Sequence, residues 1–309
     1  PIEWFTGSGG AYILPWDKSK CPDKQLRLNV QALHQTGRIT QQEAASMMPV
    51  QALDIQPNHR VLDLCAAPGS KATQIAEVLD GQGLVVANEP NPGRANHLVS
   101  NTQRAGHLNM VVVREDGRHF PRVAEPGFDR ILVDAPCTGS GTTRKNTDVW
   151  AKWKPQHGAH MSRLQIGILS RGALLLRPGG RMVYSTCSID PQENEHVVES
   201  VLARFPWLSL VEIDCDEIFP KLKTRPGMTD DTQTCIRVWN DENNGSGFFI
   251  AVFTQTETEH DSARATRAHP RDEGREPIPI EPRPPQQKDL KSPEEEDLAL
   301  FEEWGMPSR

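Results

Sequence analysis

Two cysteines lie where predicted strands end, each among small and polar residues. Cys137 closes the run Asp134-Ala135-Pro136-Cys137, and Cys187 lies within Tyr184-Ser185-Thr186-Cys187-Ser188. Ligands of open α/β sheets bind at the carboxyl ends of the strands, so both thiols are expected on the ligand side. A single cysteine is most often a small buried hydrophobe. Two cysteines so placed indicate a disulfide, half of a metal site, or a nucleophile with a helper thiol.

A loop of small residues and two acidic residues at strand ends outline a nucleoside pocket. The loop is the run Cys65-Ala66-Ala67-Pro68-Gly69-Ser70-Lys71, between a predicted strand and a predicted helix. Small residues let the backbone approach a ligand, and helix amides attract a carboxylate. Glu89 closes the second strand, where a carboxylate binds ribose hydroxyls, and Asp116 closes the third, where it can accept from an adenine amino group. The alternative is an ordinary turn with two solvated acids.

The same loop limits the classes of ligand that this pocket is expected to bind. It has neither the GxxxxGK[ST] spacing of a phosphate loop nor the GxGxxG of a dinucleotide site. A nicotinamide-dependent oxidoreductase on a similar sheet is therefore the weaker alternative.

Basic and aromatic residues follow Cys137 in the sequence. The candidates for RNA contact are Arg144, Lys145, Trp150, Lys152 and Lys154. Cations hold phosphates while aromatic faces stack on unpaired bases, which favours an RNA interface. The alternative is a solvated helix start whose tryptophans, Trp150 and Trp153, belong to the core.

These residues need a sheet with alternating strands and helices to bring them together. The predicted strands are Val61–Ala66, Leu84–Glu89, Met110–Glu115, Arg130–Ala135, Arg181–Cys187, Leu208–Ile213 and Gly247–Thr254. The predicted helices are Ser70–Leu79, Pro92–Gly106, Pro155–Leu176 and one near Pro191–Phe205. The alternation implies a seven-stranded α/β sheet, mostly parallel and doubly wound, with helices on both faces. The last two strands lack a helix between them and are expected to form a hairpin at one edge.

The chain divides into three parts. Residues 1–60 form a front segment, in which Thr40 and Glu43 predict a helix start with a capping box. Residues 61–255 carry the sheet. Residues 256–309 are rich in proline and charge, which predicts an acidic linker or tail. From about Thr256 to Ser292 this tail is expected to lack stable secondary structure and to be dispensable for catalysis. A short amphipathic helix is expected near Leu298–Trp304.

Charge and cysteine content limit the partners and the compartment. The net charge is −7, but the residues from Glu257 onward hold 14 acidic and 8 basic residues. The part of the chain before Glu257 is therefore nearly neutral, and its charge does not argue against RNA binding. Six cysteines without CxxC spacing predict an intracellular protein with reduced thiols, in the nucleus, nucleolus or cytoplasm, without a metal. No apolar run is long enough for a membrane span. The chain begins with Pro1 and is interpreted as a monomeric internal piece of a longer protein.

The motifs resemble those of the Nol/Nop/Sun-domain RNA 5-methylcytosine methyltransferases. The resemblance rests on Cys65–Lys71 and on the paired Pro-Cys and Thr-Cys motifs at Cys137 and Cys187, which are specific to that family. Three further segments resemble the eukaryotic tRNA-methylating branch, namely Ile39–Pro49, Arg144–Trp150 and Gly180–Tyr184. The resemblance spans residues 1–255. One departure is visible at Thr138-Gly139-Ser140, where close relatives more often have Ser-Gly-Asp.

The resemblance implies a Rossmann-like class I methyltransferase domain over residues 61–255, with the front segment packed on it. It implies S-adenosylmethionine as cofactor and RNA, most often tRNA, as substrate. By the same resemblance Cys187 is the nucleophile and Cys137 assists product release, while Cys65–Lys71, Glu89, Asp116 and Asp134 bind the donor. Asp134 is also the candidate for stabilising charge at nitrogen 3 of the cytosine ring.

Two alternatives remain within this family. In the first, the substrate is ribosomal RNA. In the second, the protein is an inactive RNA-binding scaffold. The presence of both cysteines argues against the scaffold. DNA cytosine methyltransferases place the nucleophile at a Pro-Cys motif without a Thr-Cys partner, so the second cysteine favours RNA.

Overall fold

The computed structural model describes residues 1–5, 10–14, 16, 21–243, 245–256, 272 and 274–280. Its helices are α1 Lys24–Gln35, α2 Met48–Ala52, α3 Ser70–Leu79, α4 Pro92–Ala105, α5 Asp148–Lys152, α6 Pro155–Leu175, α7 Glu195–Arg204 and α8 Cys215–Ile218. Its strands are β1 Arg60–Asp63, β2 Leu84–Asn88, β3 Met110–Val113, β4 Phe128–Asp134, β5 Leu176–Thr186, β6 Leu208–Leu210, β7 Arg225–Pro226, β8 Ile236–Val238 and β9 Phe248–Gln255.

Within these residues one sheet runs in the order β3-β2-β1-β4-β5-β9-β8-β7, with β6 also paired to β9. Strands β1 to β5 are parallel, and β9 lies antiparallel to β5. The chain moves outward from β1 to β3 and then returns to place β4 on the other side of β1. The strand order therefore reverses between β1 and β4, and open α/β sheets bind ligands at the carboxyl ends of the strands beside such a reversal.

Both faces of the sheet are covered, as the predicted fold requires. Along β5, Met182 and Tyr184 belong to one core cluster, and Val183 between them belongs to the other. Helices α6 and α7 supply side chains to the first cluster, and α2, α3 and α8 supply them to the second. Because side chains alternate along a strand, burial on both faces needs apolar residues at successive positions. This is the pattern in the β-branched runs, and the mostly parallel α/β sheet is confirmed.

All seven predicted strands are present, and two short ones were missed. Strands β7 and β8 hold only two and three residues, too few for a period to be read from the sequence. The expected pairing of the last two predicted strands is found, since β6 pairs antiparallel with β9. The predicted edge hairpin is wrong, because α8, β7 and β8 lie between them and β9 is flanked on its other side by β5.

The front segment packs on the sheet but starts its helices elsewhere. Thr40 is not an N-cap. A 3₁₀ helix covers Ala44–Met47 and lacks a side-chain cap at Glu43, so the predicted capping box is wrong. Helix α2 follows directly with Pro49 in its first turn, a position where a missing N–H is tolerated. The front segment buries Met48 and Leu53 against the domain.

Helix α1 went unpredicted for a physical reason. Asp23 caps it by accepting from the amides of Gln25 and Leu26 at 2.6 and 3.0 Å. None of its residues is buried, so no core contact orders its apolar positions. Helix α7 begins at Glu195, later than predicted, because residues 191–194 form a turn.

Part of the predicted tail contacts the domain. Asp272 pairs with the buried Arg171 of α6 at 2.7 Å. Ile278 forms an isolated parallel bridge with Val123, and Ile280 is buried. The predicted helix near Leu298–Trp304 lies outside the described residues. No described helix is long and apolar enough to cross a membrane.

Candidate active site

The two thiols meet at the carboxyl edge of the sheet. Strands β4 and β5 pair in register at Asp134 and Ser185, so the loops that carry Cys137 and Cys187 leave the sheet side by side. The sulfur atoms are 3.3 Å apart, in hydrogen-bonding contact, and both cysteines are free and partly buried. This excludes the disulfide in the structure. Among the described residues no group of three or more His, Cys, Asp or Glu side chains is arranged to hold a metal ion.

The pKa values of the two thiols move in opposite directions. The hydrogen bond from Cys137 lowers the pKa of Cys187 from its ordinary value of 9.0, although burial opposes the shift. The same hydrogen bond, together with burial, raises the pKa of Cys137 well above 9.0. The charge of Glu193 adds to the rise at Cys137, and Lys71 favours a thiolate at Cys187. The shared proton therefore resides on Cys137, and Cys187 is the thiol that ionises more readily.

Asp134 joins the thiol edge to the small-residue loop. One carboxylate oxygen accepts from Lys71 Nζ at 2.7 Å, and the other accepts from Ser185 Oγ at 2.8 Å. Lys71 lies in the first turn of α3 and also stands 5.7 Å from the ring centroid of Phe248 on β9. The Lys71 and Asp134 side chains are 13 % and 28 % exposed, a partly desolvated pair that water screens less than a surface salt bridge.

The Cys65–Lys71 loop is shaped by a glycine and held by an arginine. Gly69 has a φ of +117°, a left-handed value that favours glycine, and a Cβ there would lie 3.1 Å from Leu98 Cδ1. Arg94 donates to the carbonyl oxygen of Ala67 at 2.8 Å and pairs with Glu89 at 3.1 Å. Burial raises the pKa of the Cys65 thiol well above its ordinary value, so this third cysteine stays protonated.

Glu89 and Asp116 lie at the ends of neighbouring strands but differ in exposure. Glu89 is buried, and its Oε1 accepts from the Asn91 amide at 2.9 Å. Asp116 is partly exposed and accepts from the Arg118 guanidinium, which lowers the pKa of Asp116 to about 2.

Asn88 ties the ends of the first three strands together. Its side chain donates to the carbonyl oxygens of Leu64 and Glu115 and accepts from the Glu115 amide. Directly after Asp116, a Cβ on Gly117 would lie 3.4 Å from the carbonyl oxygen of Leu64. The structure thus brings Asp116 and Glu89 to the loop that follows β1, as predicted.

Sequence reasoning missed a buried acid at the end of β1. Asp63 is 1 % exposed, and its Oδ1 accepts from the Cys65 amide at 3.1 Å. Its Oδ2 is buried without a hydrogen-bond partner. Burial, with the nearby charge of Asp134, raises the pKa of Asp63 to about 7. The motif contained this residue, but only its side-chain environment distinguishes it from a structural strand-end acid.

Two further polar residues at the thiol edge were missed, Glu193 and Asn194. Asn194 accepts from Thr186 Oγ1 at 2.7 Å and donates to the carbonyl oxygen of Ser188 at 2.9 Å. Glu193 is buried and bonded to both cysteine loops. The helical pattern assigned to this stretch concealed their role, because both residues precede α7 in the chain.

The predicted RNA-binding residues lie on the surface beside Cys137. Trp150 is 75 % exposed and Trp153 is 41 % exposed, so neither is a core tryptophan. Arg144, Lys145, Lys152 and Lys154 are also exposed, and Lys152 pairs with Asp148 at 3.1 Å. A cavity of about 480 Å³ next to them is lined by Cys137, Lys152, Trp153, His157 and His160, among others. None of the predicted site residues lines a second cavity, of about 550 Å³, between α2, α3 and α8.

Comparisons with known proteins identify the family of this chain. Residues 50–254 match the family model described as 16S rRNA methyltransferase RsmB/F. The chain is 37 % identical over 276 residues to the multisite-specific tRNA:(cytosine-C(5))-methyltransferase of Saccharomyces cerevisiae, which covers 74 % of this chain and 40 % of that protein. It is 36 % identical over 259 residues to the tRNA (cytosine(49)-C(5))-methyltransferase of Pyrococcus abyssi, covering 81 % of this chain and 78 % of that protein.

A solved structure shares the fold. NSun6 from Pyrococcus horikoshii with SFG has a TM-score of 0.64 at 28 % identity, covering 72 % of this chain and 54 % of that one. The chain spans less than half the length of the Saccharomyces relative, which therefore contains further sequence outside the match.

Proposed function

We propose, from the premise that the chain belongs to the RsmB/F family of methyltransferases, that it transfers a methyl group from S-adenosylmethionine to carbon 5 of a cytosine in RNA. The observation that supports this most directly is the pair of free thiols, 3.3 Å apart, at adjacent strand ends. A lysine–carboxylate pair beside them connects this edge to the loop after β1. The loop after β1 lacks the GxGxxG with which a nicotinamide-dependent oxidoreductase binds its cofactor.

The residues at the ends of β1 to β3 fit an adenosine that carries an amino-acid arm. The buried, unpartnered Oδ2 of Asp63 is suited to the ammonium group of the arm. The two Glu89 oxygens each have one partner and keep further acceptor positions for ribose hydroxyls. Asp116 is the acceptor for the adenine amino group, and the glycine-shaped loop Cys65–Lys71 lets the backbone approach. When bound, S-adenosylmethionine supplies an electrophilic methyl group.

The first chemical step is assigned to Cys187. A thiolate that adds to carbon 6 of cytosine turns carbon 5 into an enamine-like nucleophile, which the free base is not. Cys187 is suited to this step because its pKa is lowered and Cys137 holds the shared proton. Negative charge accumulates at ring nitrogen 3 as the bond to sulfur forms. The Lys71 ammonium, hydrogen-bonded to Asp134, is assigned to supply a proton through Asp134 to nitrogen 3, which neutralises that charge.

The second step is assigned to Cys137. After carbon 5 has received the methyl group, it still carries its hydrogen, and this proton must leave before Cys187 can be expelled as a thiolate. Once Cys187 is bonded to carbon 6, Cys137 gives up the shared proton to solvent. Its thiolate, or a water that it positions, then accepts the carbon 5 proton, and Cys187 leaves as the thiolate. The position of Cys137, within hydrogen-bonding distance of the sulfur that departs, supports this assignment.

The substrate assigned is tRNA, with ribosomal RNA as the second candidate. The named tRNA methyltransferases among the relatives support the first, and the description of the family model supports the second. The exposed Trp150 and the lysines around it are assigned to unpaired RNA, because a cytosine can react only once it is out of the stack.

The test is methyl transfer to defined RNAs. The chain is incubated with methyl-labelled S-adenosylmethionine and either unmodified tRNA or a 16S rRNA fragment, and the RNA is digested to nucleosides. We expect label in 5-methylcytidine from tRNA and none with Cys187→Ala. Calorimetry is expected to show binding of S-adenosylmethionine and none of NAD. Label in another nucleoside, or NAD binding without S-adenosylmethionine binding, contradicts the proposal.

A further inference from the structure

One buried carboxylate, that of Glu193, contacts both cysteine loops. Its Oε2 accepts from the Thr138 amide at 2.9 Å and from Gln165 Nε2 on α6 at 3.0 Å. Its Oε1 accepts from Ser188 Oγ at 2.8 Å and from the Thr138 hydroxyl. Thr138 directly follows Cys137, and Ser188 directly follows Cys187. The same side chain therefore fixes the residue after each thiol.

The four donors saturate this carboxylate. An ionised carboxylate has about four acceptor positions, and here four are used. No Lys, Arg or His in the described part of the chain forms an ion pair with Glu193. Burial of a charge is costly unless hydrogen bonds compensate for the lost water. All four hydrogen bonds can therefore form only while both loops keep their positions. The hydrogen bonding of Glu193 thus depends on the distance between the two thiols.

The two loops depend on Glu193 to different degrees. The Cys187 loop has independent anchors, because β5 is paired with β4 up to Ser185 and with β9 up to Thr186, and the Thr186 hydroxyl donates to Asn194 at 2.7 Å. The wider Cys137 loop is held by bonds from the Ala135 and Gly141 amides to the carbonyl oxygens of Ser185 and Cys187, both at 2.9 Å. The two residues next to Cys137 in the chain, however, contact Glu193 directly or through Gln165. Thr138 binds Glu193 directly, and the Pro136 carbonyl accepts from the Gln165 amide, at 2.9 Å, which also binds Glu193.

We infer that Glu193 is a positioning residue that holds Cys137 beside Cys187, and that product release depends on it more than attack on the base does. The inference rests on the proposed two-cysteine chemistry. Loss of the carboxylate releases Thr138, the residue directly after Cys137, and leaves Cys187 anchored. The thiolate of Cys187 still adds to carbon 6 and carbon 5 still receives the methyl group. The carbon 5 proton then lacks its acceptor, so the bond from carbon 6 to sulfur persists.

The matched variants are Glu193→Ala and Glu193→Gln. In the glutamine variant the amide oxygen can face the Thr138 amide and Gln165, which only donate. Its NH₂ group can face the hydroxyls of Thr138 and Ser188, which also accept. The glutamine variant is therefore expected to release product at close to the normal rate. The alanine variant is expected to release it about 10- to 100-fold more slowly, as for a misplaced catalytic group.

A second pair covers the case in which Glu193→Ala does not fold. Thr138→Val keeps the shape of the side chain and removes one donor to Glu193, whereas Thr138→Ser keeps the hydroxyl. Thermal unfolding checks that each variant is folded. Thr186→Val serves as the opposite control, because it loosens the Cys187 loop and is expected to slow attack instead.

The readout is the fraction of protein that migrates with RNA on a denaturing gel when donor is supplied, with Cys137→Ala as reference. Glu193→Ala and Thr138→Val are expected to accumulate the conjugate, and Glu193→Gln and Thr138→Ser are not. The inference is overturned if Cys137→Ala accumulates the conjugate while neither Glu193→Ala nor Thr138→Val does. If Cys137→Ala itself gives none, the proposed two-step chemistry fails, and the inference fails with it.

Discussion

The ends of β1 to β3, called here the donor side, and the ends of β4 and β5, the thiol side, differ in how their polar atoms are satisfied. On the donor side, Asp63 keeps a buried oxygen without a partner, and Asp116 is partly exposed. On the thiol side, Thr138, Ser188 and Glu193 form a saturated hydrogen-bond network around the two cysteines. A site that receives a ligand leaves acceptors for it, whereas a site that fixes two reacting sulfurs satisfies the carboxylate that joins their loops.

Asp134 belongs to both sides, so its loss is expected to have the largest effect. In Asp134→Asn, the amide cannot accept from both Lys71 and Ser185, which each bind a different oxygen in the wild type. Single-turnover methyl transfer at saturating donor is expected to fall by about 100- to 1,000-fold, as when an electrostatic stabiliser of the transition state is removed. Ser185→Ala, which removes only one of the two bonds, is expected to cost less. A rate for Asp134→Asn within about threefold of wild type would show that Asp134 does not couple the donor side to the thiol side.

The variant Asp63→Asn tests whether the donor side binds a cationic group of the ligand. Asp63→Asn removes the acceptor assigned to the ammonium group, so the dissociation constant for S-adenosylmethionine is expected to rise by about 10- to 100-fold, or about 1–3 kcal/mol. Calorimetry measures it, and adenosine serves as the control ligand because it lacks the amino-acid arm. An equal loss of affinity for adenosine would place Asp63 away from the ammonium group.

The same variant is expected to stabilise the free protein above neutral pH. The pKa of Asp63 is about 7 in the fold against an ordinary value of 3.8. The folded state thus holds a proton between these values that the unfolded state has lost, and wild-type stability falls as the pH rises through this window. Asp63→Asn lacks that loss, so its advantage grows from about pH 4 to 7 and then stays level, at a few kcal/mol at most. Urea unfolding at pH 4, 6 and 8 measures it, and an advantage that does not grow with pH contradicts the assignment.

Asp116 is expected to matter less, and without pH dependence near neutrality. Its side chain is 37 % exposed and already paired with Arg118. Asp116→Ala is therefore expected to weaken donor binding by about 1 kcal/mol, in the range for exposed charged groups. Because its pKa is about 2, the loss is expected to be the same at pH 6 and pH 8. A larger loss at pH 8 than at pH 6 would mean that another group dominates the adenine end.

The smallest effect is expected at the RNA face. Lys152 is exposed and paired with Asp148, so Lys152→Ala removes one screened phosphate contact at most. The affinity for RNA is expected to fall by less than about tenfold, and the slope of its logarithm against the logarithm of salt concentration by about 0.7. Filter binding over a salt series measures both. Asp148→Ala is the matched control and is expected to strengthen binding, and an unchanged slope in Lys152→Ala would remove Lys152 from the interface.

The parts of the fold that follow from periodicity could be predicted. Apolar runs and stop signals in the sequence directly predicted the strands that precede Cys137 and Cys187 and the helix Ser70–Leu79. The two-residue strand Arg225–Pro226 could not be predicted, because two residues show no periodicity and only the pairing with β8 defines the strand. The helix α1 could not either, because it buries none of its residues.

The site divides in the same way. Cys137, Cys187 and Asp134 were visible because each stands in a recognisable run at a strand end. Asp63 and Glu193 could not be recognised from the sequence. The role of Asp63 depends on a buried oxygen without a partner, and that of Glu193 on a carboxylate whose acceptor positions are all used. Such properties depend on which donors the fold brings within 3 Å, and spacing along the chain does not determine that.

The measurement that tests the central claim most directly compares conjugate formation in two single variants. Cys187→Ala and Cys137→Ala are each incubated with substrate RNA and S-adenosylmethionine and run on a denaturing gel. If Cys187 attacks carbon 6 and Cys137 serves release, Cys137→Ala migrates as a protein–RNA conjugate, and neither Cys187→Ala nor the double variant does. A conjugate in Cys187→Ala but not in Cys137→Ala would reverse the two roles. Activity retained in both variants without any conjugate would show that the thiols, although 3.3 Å apart, are structural.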